Sequence, residues 1–324
     1  MPDMSELHVV FGASGLARAV AVAALARGAR VRVVSRSGRF PASPPGVEVV
    51  AADLSDPPAA IAAAQGAAVI HHCAAPAYTR WAQQQPALLH GVLAAGAATG
   101  AVVVNASNAY MYDLADVPTT ELSAERPRSR KGRIRADLDA AVRQAHDRGE
   151  VRAVTVRAPD YYGPWGTATT VYGDRVFARI LAGRRPQVFG DLDVPHTWVY
   201  VDDFGRAMVA AAADETAWGS TRHVSPPPPL TQRELLALIG EAAGTEIRPQ
   251  AAPTAVVKLA GLVSPLMREL GEMAYQWEQP YVFAAAQPLG DGSFTPHVEA
   301  VTRAVEWFRQ SLPGPHSSRP HLTS

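Results

Sequence analysis

The sequence predicts an α/β fold in which a doubly wound parallel sheet carries a smaller, mostly helical C-terminal lobe. In the first half of the chain, short apolar segments alternate with alanine-rich helical segments, an order typical of βαβ units. Glycines follow these helices at the position where a helix commonly ends. The second half is less regular, which indicates that the sheet belongs mainly to the first half.

Six apolar segments of the first half are predicted to be strands, because each is short and bounded by polar or turn residues. They lie at about 7–11, 30–35, 47–51, 67–72, 101–106 and 151–157. Four helices are predicted at about 16–27, 58–65, 86–99 and 135–148. Each is followed by a glycine that can adopt the left-handed conformation expected after a helix, namely Gly28, Gly66, Gly100 and Gly149.

The second half is predicted to contain helices at about 176–182 and 204–213, with a strand-like segment at 197–201 between them. Four consecutive prolines at 226–229 predict a stiff, extended connector. Thr231 and Glu234 form a capping-box pattern at the start of a helix that runs to Ala243. Further helices are predicted at 256–273, apolar enough to pack inside a small lobe, and at 298–310.

Charge and cysteine content narrow the class of function. The 30 basic and 30 acidic residues cancel, so no overall field favours nucleic acid or an anionic membrane surface. Cys73 is the only cysteine, and the N-terminus lacks the pattern of a signal peptide. No apolar segment approaches the roughly 18 residues of a membrane span. We therefore expect a cytoplasmic monomer or homodimer that binds a small-molecule substrate.

The segment from His8 to Arg18 predicts a strand that enters a helix through a glycine turn. Such a turn can bind phosphate, because free backbone N–H groups and the positive end of the helix dipole meet there. Neither the GxGxxG/A nor the GxxGxxG pattern is complete, and a tight turn without a ligand is the alternative. The position at the first strand–helix junction favours a dinucleotide. The candidate contacts are Gly12, Ser14, Gly15 and Leu16.

The second strand ends at Ser35, Arg36 and Ser37, where an NAD-binding chain would carry an acidic residue for the ribose diol. The guanidinium of Arg36 can hold a 2′-phosphate in bidentate fashion, with the two serines as additional donors. The alternative is a solvated arginine in a polar turn. We favour NADP(H) over NAD(H) as the cofactor.

These patterns divide the chain as follows. Residues 1–165 are expected to form an NADP(H)-binding domain, to which 191–225 return. Residues 166–190 and 226–296 are expected to form a substrate-binding lobe. Residues 297–312 are predicted to be a terminal helix, and 313–324 a flexible tail rich in proline, serine and histidine.

Six sequence blocks, in matching order and spacing, resemble the short-chain dehydrogenase/reductase superfamily, in the extended or atypical branch that includes NAD-dependent epimerase/dehydratase proteins. The blocks lie at 8–18, 52–56, 70–75, 105–112, 157–164 and 198–203. The resemblance implies a Rossmann fold. It also implies that Asp53 meets the adenine amine, and that 70–75 lie beside the cofactor ribose and 157–164 beside the nicotinamide. The implied cofactor contacts are Asp53, Leu54, Cys73, Ala74, Ala75, Ala106, Pro159 and Asp160.

The catalytic residues depart from the family pattern. The family's reductive mechanism uses a tyrosine as proton donor and a lysine four residues later that lowers its pKa. Lysine occurs only at Lys131 and Lys258, and the residues four before them are Pro127 and Thr254, so the chain has no such pair. The alignment puts Lys131 in the tyrosine's place and Arg135 in the lysine's. Arginine can anchor the ribose or a substrate oxygen but cannot release a proton.

Other residues must then supply the chemistry, if redox chemistry is retained. Asn108 stands where the family has its catalytic serine, and its amide or the adjacent Ser107 would polarise a substrate oxygen. The candidate proton donors are Tyr112, Tyr162 and Lys131. A phenol without assistance has a pKa of about 10, so a tyrosine donor needs a neighbouring cation.

A second departure concerns the substrate. Nucleotide-sugar members of the family commonly carry an arginine, two residues before the aromatic at Trp198, that meets the diphosphate. This chain has His196 there, and its apolar lobe carries Trp277 and Tyr281. We therefore expect a less polar small molecule. The candidate substrate contacts are Tyr78, Tyr110, His196, Trp198 and Trp277.

Three other patterns carry less weight. His71, His72 and Cys73 are consecutive strand residues that alternate between faces, so we expect no metal site. The basic residues within 126–133 are interpreted as a solvated loop near the mouth of the site. Ser107 lacks the Gly-x-Ser-x-Gly pattern that a hydrolase of the α/β class would show.

Three functions are compatible with the sequence. The favoured one is an NADPH-dependent reductase of a carbonyl or conjugated olefin in a small, fairly apolar metabolite. The first alternative is a redox-neutral cyclase, dehydratase or isomerase that retains the nucleotide, because the tyrosine–lysine pair is missing. The second is a non-catalytic protein that senses or binds NADP(H). Net loss of NADPH separates the first from the others, and product formation separates the second from the third.

Overall fold

A computed structural model describes residues 5–166 and 170–312 of the chain. The strands, in chain order, are β1 (Leu7–Phe11), β2 (Arg30–Ser35), β3 (Val47–Ala51), β4 (Val69–His72), β5 (Val102–Ser107), β6 (Arg152–Arg157), β7 (Asp160–Tyr162), β8 (Gln187–Phe189), β9 (Pro195–His196), β10 (Trp198–Tyr200), β11 (Thr221–His223), β12 (Leu230–Thr231) and β13 (Gln250–Ala252). The helices are α1 (Gly15–Ala26), α2 (Pro57–Ala63), α3 (Trp81–Thr99), α4 (Arg130–Asp147), α5 (Asp174–Leu181), α6 (Val201–Ala213), α7 (Gln232–Ala243), α8 (Thr254–Ala260), α9 (Pro265–Glu272) and α10 (His297–Ser311). The predicted tail at 313–324 lies outside the described residues.

The main sheet has seven strands in the order β11-β6-β5-β4-β1-β2-β3. All of its neighbouring strands are parallel. This arrangement confirms the predicted doubly wound Rossmann fold. The strand order reverses between β1 and β4, and ligands of such sheets bind beyond the carboxyl ends of the strands at that reversal.

Helices cover both faces of this sheet, which explains why its strands are apolar throughout. On one face, Val10 and Val33 pack with residues of α1 and α6. On the other, Val9 packs with residues of α2, α3 and α4. A strand buried on both faces reads as a continuous hydrophobic run, and this property made the six strands predictable from the sequence.

A separate apolar core lies outside the sheet and joins residues far apart in the chain. Its members come from β7, α5, β10, α7 and α10, with Trp277 from the connection before α10. Phe177 and Phe308 stack at its centre with ring centroids 4.1 Å apart. The predicted capping box of Thr231 and Glu234 is confirmed at the start of α7.

Two helices begin about five residues earlier than predicted. The helix α3 starts at Trp81, so Pro86 lies inside it although a proline costs one backbone hydrogen bond there. Burial of Trp81 and Leu89 anchors this first part of the helix. The helix α4 starts at Arg130, because the Ser129 hydroxyl accepts a hydrogen bond from the Gly132 N–H at 2.9 Å.

The prediction of a single helix at 256–273 is wrong. The segment forms α8 and α9, because Pro265 cannot continue a helix and Ser264 caps a new one. Its apolar residues are also not all packed into the lobe, since Leu259 is 68% and Val263 88% exposed.

Candidate active site

The glycine turn places two unsatisfied donors at the start of α1. The Ser14 side chain accepts a hydrogen bond from Ala17 N–H and so caps the helix. Within the described part of the chain, nothing accepts a hydrogen bond from the N–H of Gly15 or Leu16. Both groups belong to the first helical turn, where backbone donors need an external acceptor such as a phosphate oxygen.

Both glycines of the turn are also required by protein packing. A Cβ at Gly12, whose φ is +119°, would lie 2.8 Å from the Ala74 nitrogen. A Cβ at Gly15 would lie 2.8 Å from the Trp165 carbonyl oxygen. A turn that binds no ligand would therefore need the same two glycines. The evidence for a phosphate site is instead the pair of free backbone N–H groups.

Three residues at the end of β2 were predicted to bind a 2′-phosphate, and they differ in whether their side chains are already hydrogen-bonded. The Ser35 hydroxyl donates to the Arg39 carbonyl at 2.9 Å and accepts from the Arg39 N–H. Arg36 and Ser37 are exposed, and no hydrogen bond joins either side chain to another described residue. Two of the three positions are thus free to bind a ligand.

The remaining predicted cofactor residues line the carboxyl ends of β3, β4, β5 and β6. Asp53 is exposed, but its Oδ1 already accepts two hydrogen bonds from Ser55, which lower the pKa of the carboxyl. Burial raises the pKa of the Cys73 thiol well above its usual range, so this cysteine stays protonated. Leu54 and Pro159 are buried, Ala74 and Ala106 are half-buried, and Ala75 is exposed.

Arg135, in the place of the family lysine, is enclosed without a hydrogen-bond partner among the described residues. Its side chain is 9% exposed, and its Nε is buried and unpaired. The guanidinium lies 4.4 Å over the Trp81 ring. Burial lowers its pKa, and the carboxylate of Asp139 and the phenols of Tyr110 and Tyr161 oppose that shift. A buried cation with free donors is costly unless a ligand accepts its hydrogen bonds.

Tyr110 packs in the same cluster as Arg135. Its ring stacks on Trp81 with centroids 6.2 Å apart, and the Tyr78 ring meets Trp81 edge-on at 5.0 Å. Burial and the charge of Asp160 raise the pKa of Tyr110 well above its usual value, against smaller opposing effects of Tyr78 and Arg135. Asn108 is half-buried two residues earlier, and its Oδ1 accepts from the Tyr110 N–H at 3.2 Å.

Lys131 does not lie in a solvated loop, and that prediction is wrong for this residue. The side chain is 3% exposed, forms an ion pair with Glu269 at 2.6 Å and donates to the Tyr78 carbonyl. Its ammonium also lies 3.8 Å from the centre of the Tyr78 ring. The ammonium is thus occupied in holding α9 against α4, which argues against Lys131 as the proton donor.

Ser107 and Tyr112 were predicted to be catalytic, and the structure places both in a buried network around Asp139 and Arg157. The Ser107 hydroxyl donates to Asp139 at 2.9 Å. The Tyr112 hydroxyl accepts from Arg157 at 2.7 Å and lies 2.9 Å from His223 Nε2. Both side chains are satisfied inside the protein, so neither is free to meet a substrate.

Tyr162 also points away from the cluster around Arg135. Successive strand residues face opposite sides, and in β7 the charge of Arg135 acts on Tyr161, where it opposes the rise in pKa that burial causes. The Tyr162 hydroxyl lies 3.3 Å from His297 Nδ1, and its ring packs near Tyr200. Tyr161 was not among the predicted catalytic residues, because the family block holds two adjacent tyrosines with the same local signal.

The predicted substrate contacts His196, Trp198 and Trp277 form one aromatic cluster. The His196 ring stacks on Trp277 at 4.4 Å and lies 4.3 Å from Trp198 and 4.7 Å from Tyr281. Its Nε2 lies 3.0 Å from Asp160 Oδ2. Asp160, which was predicted to contact the cofactor, thus lies against this cluster of predicted substrate contacts.

Within 5–166 and 170–312, no group of three or more His, Cys, Asp or Glu side chains is arranged to hold a metal ion. No helix in the same part of the chain combines the length and apolar character needed to cross a membrane.

Comparison with solved structures shows the fold. A UDP-N-acetylglucosamine 4-epimerase from Methanobrevibacter ruminantium M1, in complex with UDP-N-acetylmuramic acid, is 17% identical with a TM-score of 0.76, covering 95% of this chain and 99% of that one. A UDP-glucuronic acid 4-epimerase from Bacillus cereus, in complex with NAD, is 15% identical with a TM-score of 0.75, covering 94% and 97%. A dTDP-glucose 4,6-dehydratase from Streptomyces venezuelae, with NAD and TYD bound, is 20% identical with a TM-score of 0.72, covering 94% and 97%.

Sequence comparison identifies the family. No curated protein sequence matches the chain. The profile of the NAD dependent epimerase/dehydratase family matches residues 8–225, which is more than half of the 324 residues. This family depends on a nicotinamide dinucleotide, as its description states, and the free donors at α1 and Arg135 suit such a ligand. The chain therefore belongs to the NAD dependent epimerase/dehydratase family.

Proposed function

We propose that the chain is an NADPH-dependent reductase of a carbonyl or conjugated olefin in a small, fairly apolar metabolite. One observation carries the proposal: the Tyr110 ring and the guanidinium of Arg135, which has no hydrogen-bond partner among the described residues, both pack on the Trp81 ring. A phenol next to a cation is the arrangement that the family's tyrosine–lysine pair supplies. Here the two groups come from different positions in the sequence.

The residues that would hold the cofactor follow from the free donors. The N–H groups of Gly15 and Leu16 suit the diphosphate. Arg36 and Ser37 suit a 2′-phosphate, and Arg135 suits a ribose hydroxyl or the substrate oxygen. Bound NADPH would supply the hydride for the reduction.

In this proposal Tyr110 is the proton donor, in place of the candidates Tyr112, Tyr162 and Lys131. Asn108 and Arg135 would hold the substrate oxygen, whose negative charge grows as the carbon is reduced. Tyr110 would then pass its hydroxyl proton to that oxygen. The charge of Arg135 favours the phenolate left behind, whereas burial and the charge of Asp160 oppose it by raising the pKa of Tyr110.

Tyr110→Phe is expected to lower turnover by about 100-fold while NADPH affinity stays within about twofold, because only the proton donor is lost. The measurement is loss of NADPH absorbance with a panel of small ketones and enones, alongside calorimetric titration with NADPH. Tyr162→Phe is the matched control, since its hydroxyl faces His297. Equal turnover in wild type and Tyr110→Phe would overturn the assignment of the donor.

Arg36→Ala is expected to weaken NADPH binding at least about tenfold and NADH binding much less, because a charge-assisted hydrogen bond contributes about 1.5–3 kcal/mol. Calorimetry with both cofactors provides the measurement. Arg39→Ala, an exposed arginine nearby in the same turn, serves as the control. Equal losses for NADPH and NADH would remove the preference for NADP(H).

A redox-neutral reaction is the second candidate, and the Asp160 carboxylate favours it. A carboxylate beside the substrate can remove a proton from carbon or oxygen, as a dehydratase or isomerase requires. Product formation without net loss of NADPH would identify this function. NADPH binding with no product from any substrate would instead indicate a binding protein without catalysis.

A further inference from the structure

We propose that the substrate carries a protonated amine, which binds Asp160, and that the same carboxylate disfavours a nucleoside diphosphate. The inference rests on the proposed function for the place of the substrate, beside Tyr110. It concerns the end of the site away from Arg135, where Asp160, His196 and aromatic rings meet.

Asp160 offers a carboxylate oxygen that the protein leaves free. Its Oδ2 is bonded to His196 Nε2 at 3.0 Å, whereas no hydrogen bond from another described residue reaches Oδ1. The side chain is 16% exposed, so it is partly shielded but still accessible. Within the described residues, its ion-pairing partner is this histidine, and no lysine or arginine neutralises it.

His196 is held where it cannot act as a cationic ligand for a phosphate. Its ring is nearly parallel to that of Trp277, with an interplanar angle of 10°, and its side chain is 3% exposed. The backbone around it is fixed as well, because the Thr197 N–H donates to the Tyr281 carbonyl at 2.8 Å. Rotation towards a ligand would break the stack and the bond to Asp160.

The pair of His196 and Asp160 therefore sets the charge of this end of the site. Here the histidine supports a carboxylate, and a diphosphate placed near Asp160 would be repelled at close range. The same carboxylate would attract an ammonium group.

Aromatic rings around Asp160 favour an organic cation further. Tyr78 and Tyr110 both pack on the Trp81 ring, with centroids 5.0 and 6.2 Å from it. Burial raises the pKa values of both phenols, and the negative charge of Asp160 adds to each shift. The faces of such rings attract ammonium groups. The guanidinium of Arg135 lies 4.4 Å over the same Trp81 ring. A ligand with a carbonyl oxygen at one end and an ammonium at the other complements this polarity.

The test is calorimetric titration of the full chain, saturated with NADPH near neutral pH, with phenethylamine, with phenethyl alcohol and with UDP. Phenethylamine is expected to bind at least about tenfold more tightly than the alcohol, which matches it in shape but has no charge. UDP is expected to bind more weakly than phenethylamine. In Asp160→Asn, the amine affinity should fall at least about tenfold and the alcohol affinity should change by less than about twofold.

Two variants separate a local charge effect from damage to the fold. Asp160→Asn retains an oxygen acceptor for His196, and near-ultraviolet circular dichroism reports whether the aromatic cluster is intact. Asp193→Asn removes an exposed carboxylate that pairs with Arg233, and it should bind all three probes like the wild type. Three results with the wild type would overturn the inference: UDP binding more tightly than phenethylamine, equal binding of the amine and the alcohol, or no binding of the amine. Equal losses of affinity for the amine and the alcohol in Asp160→Asn would also overturn it.

The readout is binding, so it is independent of catalysis. A chain that binds phenethylamine through Asp160 but never consumes NADPH would contradict the reductase and support the amine site. A chain that reduces neutral ketones and binds amine and alcohol equally would support the reductase and overturn the amine site.

Discussion

Replacement of Arg157 by alanine is expected to lower the free energy of unfolding by about 3–5 kcal/mol, because it leaves buried charge without a partner. The side chain is 1% exposed, and its guanidinium donates to Asp139 at 2.8 Å, to Glu125 at 2.7 Å and to the Tyr112 hydroxyl at 2.7 Å. Asp139 is itself buried and would lose the arginine with which it forms an ion pair. Urea denaturation followed by circular dichroism measures the change.

Arg148→Ala is the matched control for this prediction. Arg148 also pairs with a carboxylate, that of Glu150 at 2.6 Å, but both side chains are about half exposed. Water solvates both charges in the variant, so little change in stability is expected. Similar denaturation midpoints for Arg157→Ala and Arg148→Ala would show that burial of the Arg157 network does not matter for stability.

Acidification from about pH 7 to about pH 5 is expected to lower the free energy of unfolding by about 2 kcal/mol for each of two buried histidines, or about 4 kcal/mol together. Burial lowers the pKa of His72 from 6.5 to about 4, against the opposing hydrogen bond to Asn105. Burial lowers the pKa of His223 from 6.5 to about 4, against the opposing hydrogen bond to the Ala284 carbonyl. The buried pair His8 and His71 has pKa values shifted in the same direction by burial and adds to the effect.

The direction follows from which state binds the proton more tightly. The unfolded chain takes up a proton on each histidine near pH 6.5, whereas the folded chain resists protonation until about pH 4. The stabilisation is therefore complete above about pH 6.5 and is lost as the pH falls towards about 4.

Variants at a buried and at an exposed histidine test this pH dependence of the unfolding free energy. His223→Gln should reduce the dependence of unfolding free energy on pH by about 2 kcal/mol over this range, because one proton-binding group is removed. His90→Gln, at an exposed position in α3, should retain the dependence of the wild type. An identical pH dependence in wild type and His223→Gln would contradict the prediction.

The strands of the sheet were predictable because the residues that define each strand lie next to one another in the sequence. Each of the first six strands was expected within about two residues of its observed bounds, since burial on both faces demands an unbroken apolar run. The ends of α1, α3 and α4 were expected from the glycines that follow them, which adopt positive φ values. The capping box at α7 was equally local, because Thr231 and Glu234 lie three residues apart.

The starts of α3 and α4 were less predictable, because tertiary contacts decide them. Pro86 suggested a first helical turn, but burial of Trp81 extends α3 past it. The basic residues from Arg130 onwards suggested a solvated loop, but Lys131 pairs with Glu269 from α9. A partner more than a hundred residues away leaves no periodic signal near Lys131.

The sequence by itself determined the Rossmann fold, the glycine turn, the lack of an acidic residue after β2 and the lack of a tyrosine–lysine pair, because each depends on residue identity at short spacing. Only the tertiary structure decided which polar side chains face one another. The charge of Arg135 acts on Tyr161, whereas the Tyr162 hydroxyl lies beside His297, since adjacent strand residues point to opposite faces. Arg157 and His223 come from different strands and bind the Tyr112 hydroxyl, whereas Tyr110 and Arg135 both pack on Trp81. The pairing of a buried polar group depends on which strands and loops meet, and that follows from the packing of the whole chain.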